Sequence, residues 1–418
     1  MKSKGFALLF VLALVTPAAY AGNGHNLHGV GAVNSAMGGA GVALPNDALG
    51  ALLLNPALLT DLDGSRFSFS AEYNTQKNAV ESRVGPFSGR TEDDSDPALI
   101  PAFGWTRHKD GSRLAYGVGF LGLAGFGADY RQDPTNPILA PQPQGFGRVY
   151  SNYQLMKVPF VVAWRLSDAF SVGVSLNAAR SALTADPAGF AAPDCSGPAG
   201  PCFFPRVNSD SAWGFGFGVG AYYKISPAFA LGLSYNTETD FEDFEWNSAA
   251  ANPNRPNFGT HRRIELQLNA PAVLVGGIAF TPNDRLAIAV DGKLINYEDT
   301  EGFKDVLGFE DITVFDAGVQ WRATDTITLR AGYNVAENAI PEERTFVTVP
   351  VPAIFEDRVT AGFGTRVNEI LTLDAAYYHV FENRITGPFL GPTGPVPGTS
   401  VTTEMAMDSI VLTFTFNL

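Results

Sequence analysis

Cysteine, histidine and charge are all scarce in this chain. Only Cys195 and Cys202 occur among 418 residues, and no third thiol or nearby histidine joins them to hold a metal. His25, His28, His108, His261 and His379 show no metal-ligand spacing. No Gly-x-Ser-x-Gly nucleophile turn and no phosphate-cradling glycine loop is present. Neither an enzyme nor a bound cofactor is therefore expected. Charged residues make up 17% of the chain, 28 basic against 42 acidic. That balance argues against nucleic acid as a partner, because phosphate backbones select basic surfaces. Beyond residue 21 no apolar run reaches the ~20 residues of a membrane helix. A helical membrane protein is thereby excluded, but a β-barrel is not, since its strands alternate instead of forming apolar runs.

What is present is clearest at the two ends. Residues 1–21 read as a secretory signal: Lys2 and Lys4 give a basic start, an apolar stretch follows, and Ala19-Tyr20-Ala21 is a small-x-small cleavage site. The last residues place Ile410, Leu412, Phe414, Phe416 and Leu418 on one face, with Thr413, Thr415 and Asn417 on the other. Residues 22–64, rich in Gly, Ala, Asn and Leu, show no period of two. From 65 to 418 the period of two recurs. Trp213, Phe215, Phe217, Val219, Ala221 and Tyr223 alternate with Gly214, Gly216, Gly218 and Gly220. Similar sets include Phe67/Phe69/Ala71/Tyr73, Leu231/Leu233/Tyr235 and Ile327/Leu329/Ala331/Tyr333. Strands are joined alternately by very short links, such as 166–169 and 225–228, and by long connections, such as 185–210 and 383–403. Short turns at one end and long loops at the other are characteristic of outer-membrane barrels. The reading is an all-β chain, a transmembrane antiparallel barrel of about fourteen strands plugged by a small N-terminal helical hatch; an even strand number is the rule for single-chain bacterial barrels.

Several charges fall on the polar face of their strands: Glu72, Asp291, Lys293, Asp316, Arg330, Arg358 and Asp374. In lipid each costs a few kcal/mol near the midplane, about 2–4 for a basic residue, so they are expected to face the lumen and to pair with one another and with whatever fills it. In an exported chain, Cys195 and Cys202 within a Gly/Pro-rich loop are expected to form a disulfide.

The segment after the signal carries a recognisable pattern: Gly38-Gly-Ala-Gly-Val-Ala-Leu-Pro-Asn-Asp47, then Leu54-Asn-Pro-Ala-Leu-Leu-Thr-Asp-Leu-Asp63. With residues 113–133, Trp213-Gly-Phe-Gly-Phe, Leu231-Gly-Leu-Ser-Tyr-Asn-Thr-Glu and Leu268-Asn-Ala-Pro-Ala, it resembles the FadL-type outer-membrane transporters of long-chain fatty acids and aromatic hydrocarbons. The resemblance implies a hatch over residues 22–64 carrying Asp47 and the Asn55-Pro56-Ala57 motif, inside a barrel over 65–418. It implies passive uptake of a hydrophobic small molecule, with outer-membrane lipid, lipopolysaccharide and the barrel assembly machinery as partners. It also implies a kink in the third strand through which ligand leaves sideways. Gly122, Leu123, Ala124 and Gly125 are the expected kink, since glycine weakens strand pairing and permits bulges.

Phe190, Phe203, Phe204, Phe241, Phe244 and Trp246 are expected to form an external apolar groove on the long loops. Family members that carry fatty acids hold the carboxylate with basic residues in an inner pocket. Pro187 and Asp305 stand opposite two of those positions and cannot do so, which favours a neutral hydrocarbon unless Arg180, Arg262, Arg263 or Lys304 takes the role. Two other classes compete with the channel. A barrel lipase needs a serine beside a wall histidine, for which only His379 is placed. A surface adhesin or structural barrel needs no plug.

Overall fold

The computed structural model describes residues 23–197, 200–391 and 393–418; the expected signal, 1–21, lies outside them. Fourteen antiparallel strands form a closed barrel. They are β1 Gly64–Val84, β2 Ala98–His108, β3 Leu114–Tyr130, β4 Val149–Arg165, β5 Phe170–Asp186, β6 Val207–Ser226 and β7 Phe229–Asn236. The ring continues with β8 Ala272–Asn283, β9 Leu286–Asn296, β10 Ile312–Arg322, β11 Ile327–Ala336, β12 Asp357–Arg366, β13 Leu371–Gly387 and β14 Thr399–Asn417. Each strand pairs with its sequence neighbours. The last closes onto the first, from Arg66↔Asn417 to Val84↔Thr399. Closure leaves no unpaired edge, a requirement in a solvent that cannot hydrogen-bond the backbone.

Strand alternation sets which face meets lipid. Trp213, Phe215 and Phe217 are 52%, 59% and 60% exposed on the outer wall, while the glycines between them face the lumen. Such residues recur around the whole ring, an apolar belt far larger than a water-facing surface carries. Trp105, Trp164, Tyr223 and Trp321 stand near the short-turn rim, Tyr73, Tyr333 and Tyr377 toward the long-loop rim, where amphipathic rings suit a headgroup boundary. Among the described residues no helix is long and apolar enough to cross a membrane.

The N-terminal segment lies inside the barrel. It holds two short helices, α1 Gly31–Ala36 and α2 Ala48–Leu54, and a 3₁₀ turn over Pro56–Asp61. Helices this short are unstable alone, so capping and burial must hold them. The Asp47 carboxylate accepts the Gly50 amide at 3.0 Å and caps α2. Asn55 Oδ1 accepts the Ala57 amide at 3.0 Å, and Pro56 follows at the first position of the turn, where its missing N–H costs nothing. Leu49, Leu52, Leu58 and Leu59 are buried, each contributing about 1.5–3 kcal/mol of apolar burial. Gly117 and Gly119 of β3 give the space that Leu52 and Leu59 fill.

Charged lumen residues pair as their burial demands. Lys293 meets Asp316 at 2.7 Å and Arg330 meets Asp374 at 2.8 Å. Arg358 donates to Asn334 Oδ1 at 2.7 Å, and Glu72 accepts from Tyr378 and Ser409. Others grip the plug: Asp291 Oδ2 accepts the Gly41 and Val42 amides at 2.7 and 2.8 Å, and Lys293 donates to the His28 carbonyl at 3.1 Å. Asn55 Nδ2 bridges the Val42 carbonyl at 2.9 Å and the Ala221 carbonyl of β6 at 3.0 Å.

Candidate functional site

The barrel wall is interrupted at one place. Pairing between β2 and β3 stops at Ala102↔Leu121, although β2 continues back to Ala98 and β3 on to Tyr130. The next β2 residue is Pro101, which has no amide hydrogen to offer. On the other side of β3, Gly122 pairs with Met156 and Ala124 with Leu155, so Leu123 has no partner in β4. That extra residue is a β-bulge; it turns β3 and exchanges which residues face inward. A side chain at Gly122 would collide with Ile100. Gly122 therefore serves the break itself, whereas Gly117 and Gly119 accommodate the plug. The wall pairs again higher up, where Asp94 N–H donates to the Asp129 carbonyl at 3.0 Å and Asp129 N–H to Asp93 Oδ1 at 2.9 Å.

The plug covers this break from within. Leu27 N–H donates to the Leu123 carbonyl at 2.8 Å, and Gly125 N–H donates to the His25 carbonyl at 3.2 Å. The first described residues of the chain thus occupy the backbone edge that β2 leaves free. The His25 ring packs against Phe126, Phe303 and Phe309, centroids 4.6, 5.5 and 5.1 Å away. Burial there pushes its pKa down to about 3, and burial likewise holds His28 well below the ordinary range. Asp47 is moved the other way, up to about 6, again by burial.

A cavity of about 100 Å³ adjoins the break, lined by Leu27, Leu123, Leu155, Lys157, Asn177 and Asn236 among others. Its walls are apolar with a polar end, the composition of a small-ligand site. Lys157 makes no ion pair among the described residues. Sequence reasoning missed it. Its face of β4 also carries Tyr153, Leu155 and Val161, so the alternation gave no sign that a cation points inward.

The four expected cations do not reach this cavity, a correction with two causes: three of them lie beyond the barrel wall beside carboxylates, and the fourth has the wrong strand parity. Arg262 pairs with Asp194 at 3.0 Å, Arg263 with Glu245 and Glu265 at 2.8 and 2.6 Å, and Lys304 lies 3.9 Å from Asp299. Arg180 stands on the outer wall between Met156 and Trp213, its Nη2 3.0 Å from Ser211 Oγ.

The six loop aromatics also divide. Phe190 and Phe244 flank Trp246, centroids 5.5 and 5.3 Å away; Phe241, Phe244 and Trp246 are buried in the core that reaches the cavity. They pack on one another and do not form an open groove, because Phe244 and Trp246 lie on the buried face of the hairpin made by Phe244–Ala249 and His261–Leu266. Phe204 belongs elsewhere, in an outer cap with Phe146 at 5.4 Å. Phe203 lies in the small hairpin closed by the Cys195–Cys202 disulfide. His379 faces outward and pairs with Asp408 at 2.8 Å.

A closed barrel with a lipid-facing belt, a plug and an apolar cavity beside a break in the wall defines an outer-membrane channel for hydrophobic small molecules. The comparisons place it further. The family model described as "Outer membrane protein transport protein (OMPP1/FadL/TodX)" matches residues 11–417. The chain belongs to that family, whose members are transport channels and not enzymes. Its fold is similar to that of a Pseudomonas aeruginosa FadL homologue, with a TM-score of 0.73 and 16% identity over 94% of this chain and 99% of that one. The Ralstonia pickettii toluene transporter TbuX gives 0.69 and 19%, and the Pseudomonas putida toluene transporter TodX 0.69 and 18%, at the same coverages. A search of curated protein sequences gives no match.

Proposed function

We propose that this channel takes up hydrophobic molecules bearing an anionic or polar head, long-chain fatty acids or similar, and releases them sideways through the wall at Leu123. The plug over residues 23–63 acts as the hatch. The observation carrying this reading is the end of β2–β3 pairing at Leu121, next to the bulge at Leu123 and beside the cavity. A continuous apolar route keeps the ligand out of water at about 25 cal/mol per Å² of apolar surface, so the concentration gradient alone drives transfer. The cavity is smaller than the ~300 Å³ of a typical ligand site. Ligand entry therefore requires displacement of Leu27 or Leu123, both of which line it. Lys157 favours an acid over a neutral hydrocarbon, which is the second reading.

The test deletes Leu123, restoring register to β3. Uptake of a labelled fatty acid by cells lacking other hydrophobic channels is expected to stop, while purified protein still binds it. Unchanged uptake would overturn lateral release. Lys157→Met separates the two substrates: affinity for oleate is expected to fall about tenfold or more, and affinity for toluene to hold.

A further inference from the structure

The rung of the barrel that carries the bulge also carries a cation on each face of the wall. Leu121 pairs with Lys157, and Gly122 with Met156. One strand on, Lys157 pairs with Ala179 and Met156 with Arg180. Adjacent residues on a strand point to opposite faces. Lys157 therefore enters the cavity, and Arg180 emerges on the outer wall almost directly behind it. Two strand spacings of about 4.8 Å separate Arg180 from the bulge on β3, so it stands about 12 Å from the gap on the β2 side of that strand, a distance that a long guanidinium side chain narrows.

The height of Arg180 is fixed by its neighbours. On the outer face below it, β4 to β6 carry Val158, Phe160, Leu176, Val174 and Phe215, all apolar. Above it, past Ala182, come Gln154, Asn152 and Thr184, all polar. Arg180 thus stands at the boundary between hydrocarbon and headgroups, level with Trp213. No carboxylate pairs with it among the described residues; Ser211 Oγ takes one of its five donors. Other outward cations near the long-loop rim of this wall have partners, such as Arg148 with Asp129 at 2.7 Å.

The geometry points to Arg180 as an exit station: it receives the carboxylate of an amphiphilic ligand as the ligand passes from Lys157 through the break into the outer leaflet. An apolar tail slides through the gap easily, whereas a charged head must cross the wall without a counter-ion unless one waits outside. Arg180 supplies that counter-ion at headgroup depth, where an outward charge costs little. It is a positioning residue for release and no part of the cavity. This inference rests on the lateral-release reading, and the experiment separates the two.

Uptake of oleate and of the neutral octadecene is measured in cells carrying the wild type, Arg180→Gln or Arg180→Lys, alongside oleate binding by the purified proteins. Arg180→Gln is expected to slow oleate uptake about fivefold, as for a solvent-edge ion pair. Oleate affinity and octadecene uptake stay unchanged, and Arg180→Lys restores most of the oleate rate. Unaltered oleate uptake, or equal slowing of both molecules, overturns the exit station. So does loss of binding to phosphorylated but not dephosphorylated lipopolysaccharide with uptake intact, which assigns Arg180 to lipid phosphate. Failure of lateral release itself shows separately, as uptake that survives deletion of Leu123.

Discussion

Replacing Asp291 with alanine tests how the plug is held. One carboxylate oxygen accepts both the Gly41 and Val42 amides, at 2.7 and 2.8 Å, in a lumen from which water is largely excluded. Hydrogen bonds to a charged partner contribute about 1.5–3 kcal/mol each, and their loss strands two buried N–H groups. Detachment of the stretch around Gly41 should therefore become easier by about 3–5 kcal/mol. Every 1.4 kcal/mol is tenfold, so its open population should rise by about two to three and a half orders of magnitude. The barrel does not depend on this contact: β9 keeps its ladders to β8 and β10. Amide exchange followed by mass spectrometry is the assay. Peptides covering residues 38–46 should lose most of their protection, while peptides from β9 and β14 keep theirs. Asp291→Asn retains an acceptor and should fall between. If protection around Gly41 survives Asp291→Ala, the carboxylate does not hold the plug and the reasoning fails.

Other perturbations reach the same segment. Asn55→Ala removes two donations and one cap, and should loosen the turn that follows by about 2–4 kcal/mol, seen as faster exchange at Ala57 and Leu58. Acidification should weaken the plug through its histidines. His25 stays neutral down to about pH 3 when buried but takes a proton near 6.5 once released. Its stabilisation is complete above 6.5 and declines as pH falls, by about 2 kcal/mol at pH 5. His28 acts in the same direction. Asp47 opposes them, because its pKa is raised to about 6; the plug gains from it as pH drops from 6 toward 4. The histidine share is readable as the part of the change in protease sensitivity between pH 7.5 and 5 that His25→Asn removes. Reduction of Cys195–Cys202 should leave barrel melting within a few degrees, since the closed ring is small, while cleavage of the surrounding loop accelerates.

The barrel was legible because a period of two has only one meaning when one face meets lipid and the other glycine or charge. Trp213 to Tyr223 announced it without any tertiary information. The glycines of β3 were legible as a weak point, but not how they divide the work, because that depends on Leu52, Leu59 and Ile100 approaching from elsewhere in the chain. The inner cation escaped notice for a similar reason. On β4 both faces are largely apolar, so parity, and with it the opposite destinations of Lys157 and Arg180, emerged only from the register with β3 and β5. Loop aromatics misled because composition reports that Phe244 and Trp246 are greasy, not that the hairpin carrying them turns that face inward.

A second, polar cavity of about 590 Å³ opens between the plug and the short-turn end of the wall, lined by Asp47, Arg66, Arg330 and Arg366 among others. Asp47 lies on the side of the plug that this cavity reaches. His25 is sealed at the opposite end, beneath Phe303 and Phe309 near the cell exterior. The two groups that pull the plug in opposite directions therefore sit in unlike surroundings, Asp47 beside a polar cavity and His25 among aromatic rings. Asp47 can take a proton on the cavity side of the plug, whereas His25 takes one only after the plug has left its aromatic cage.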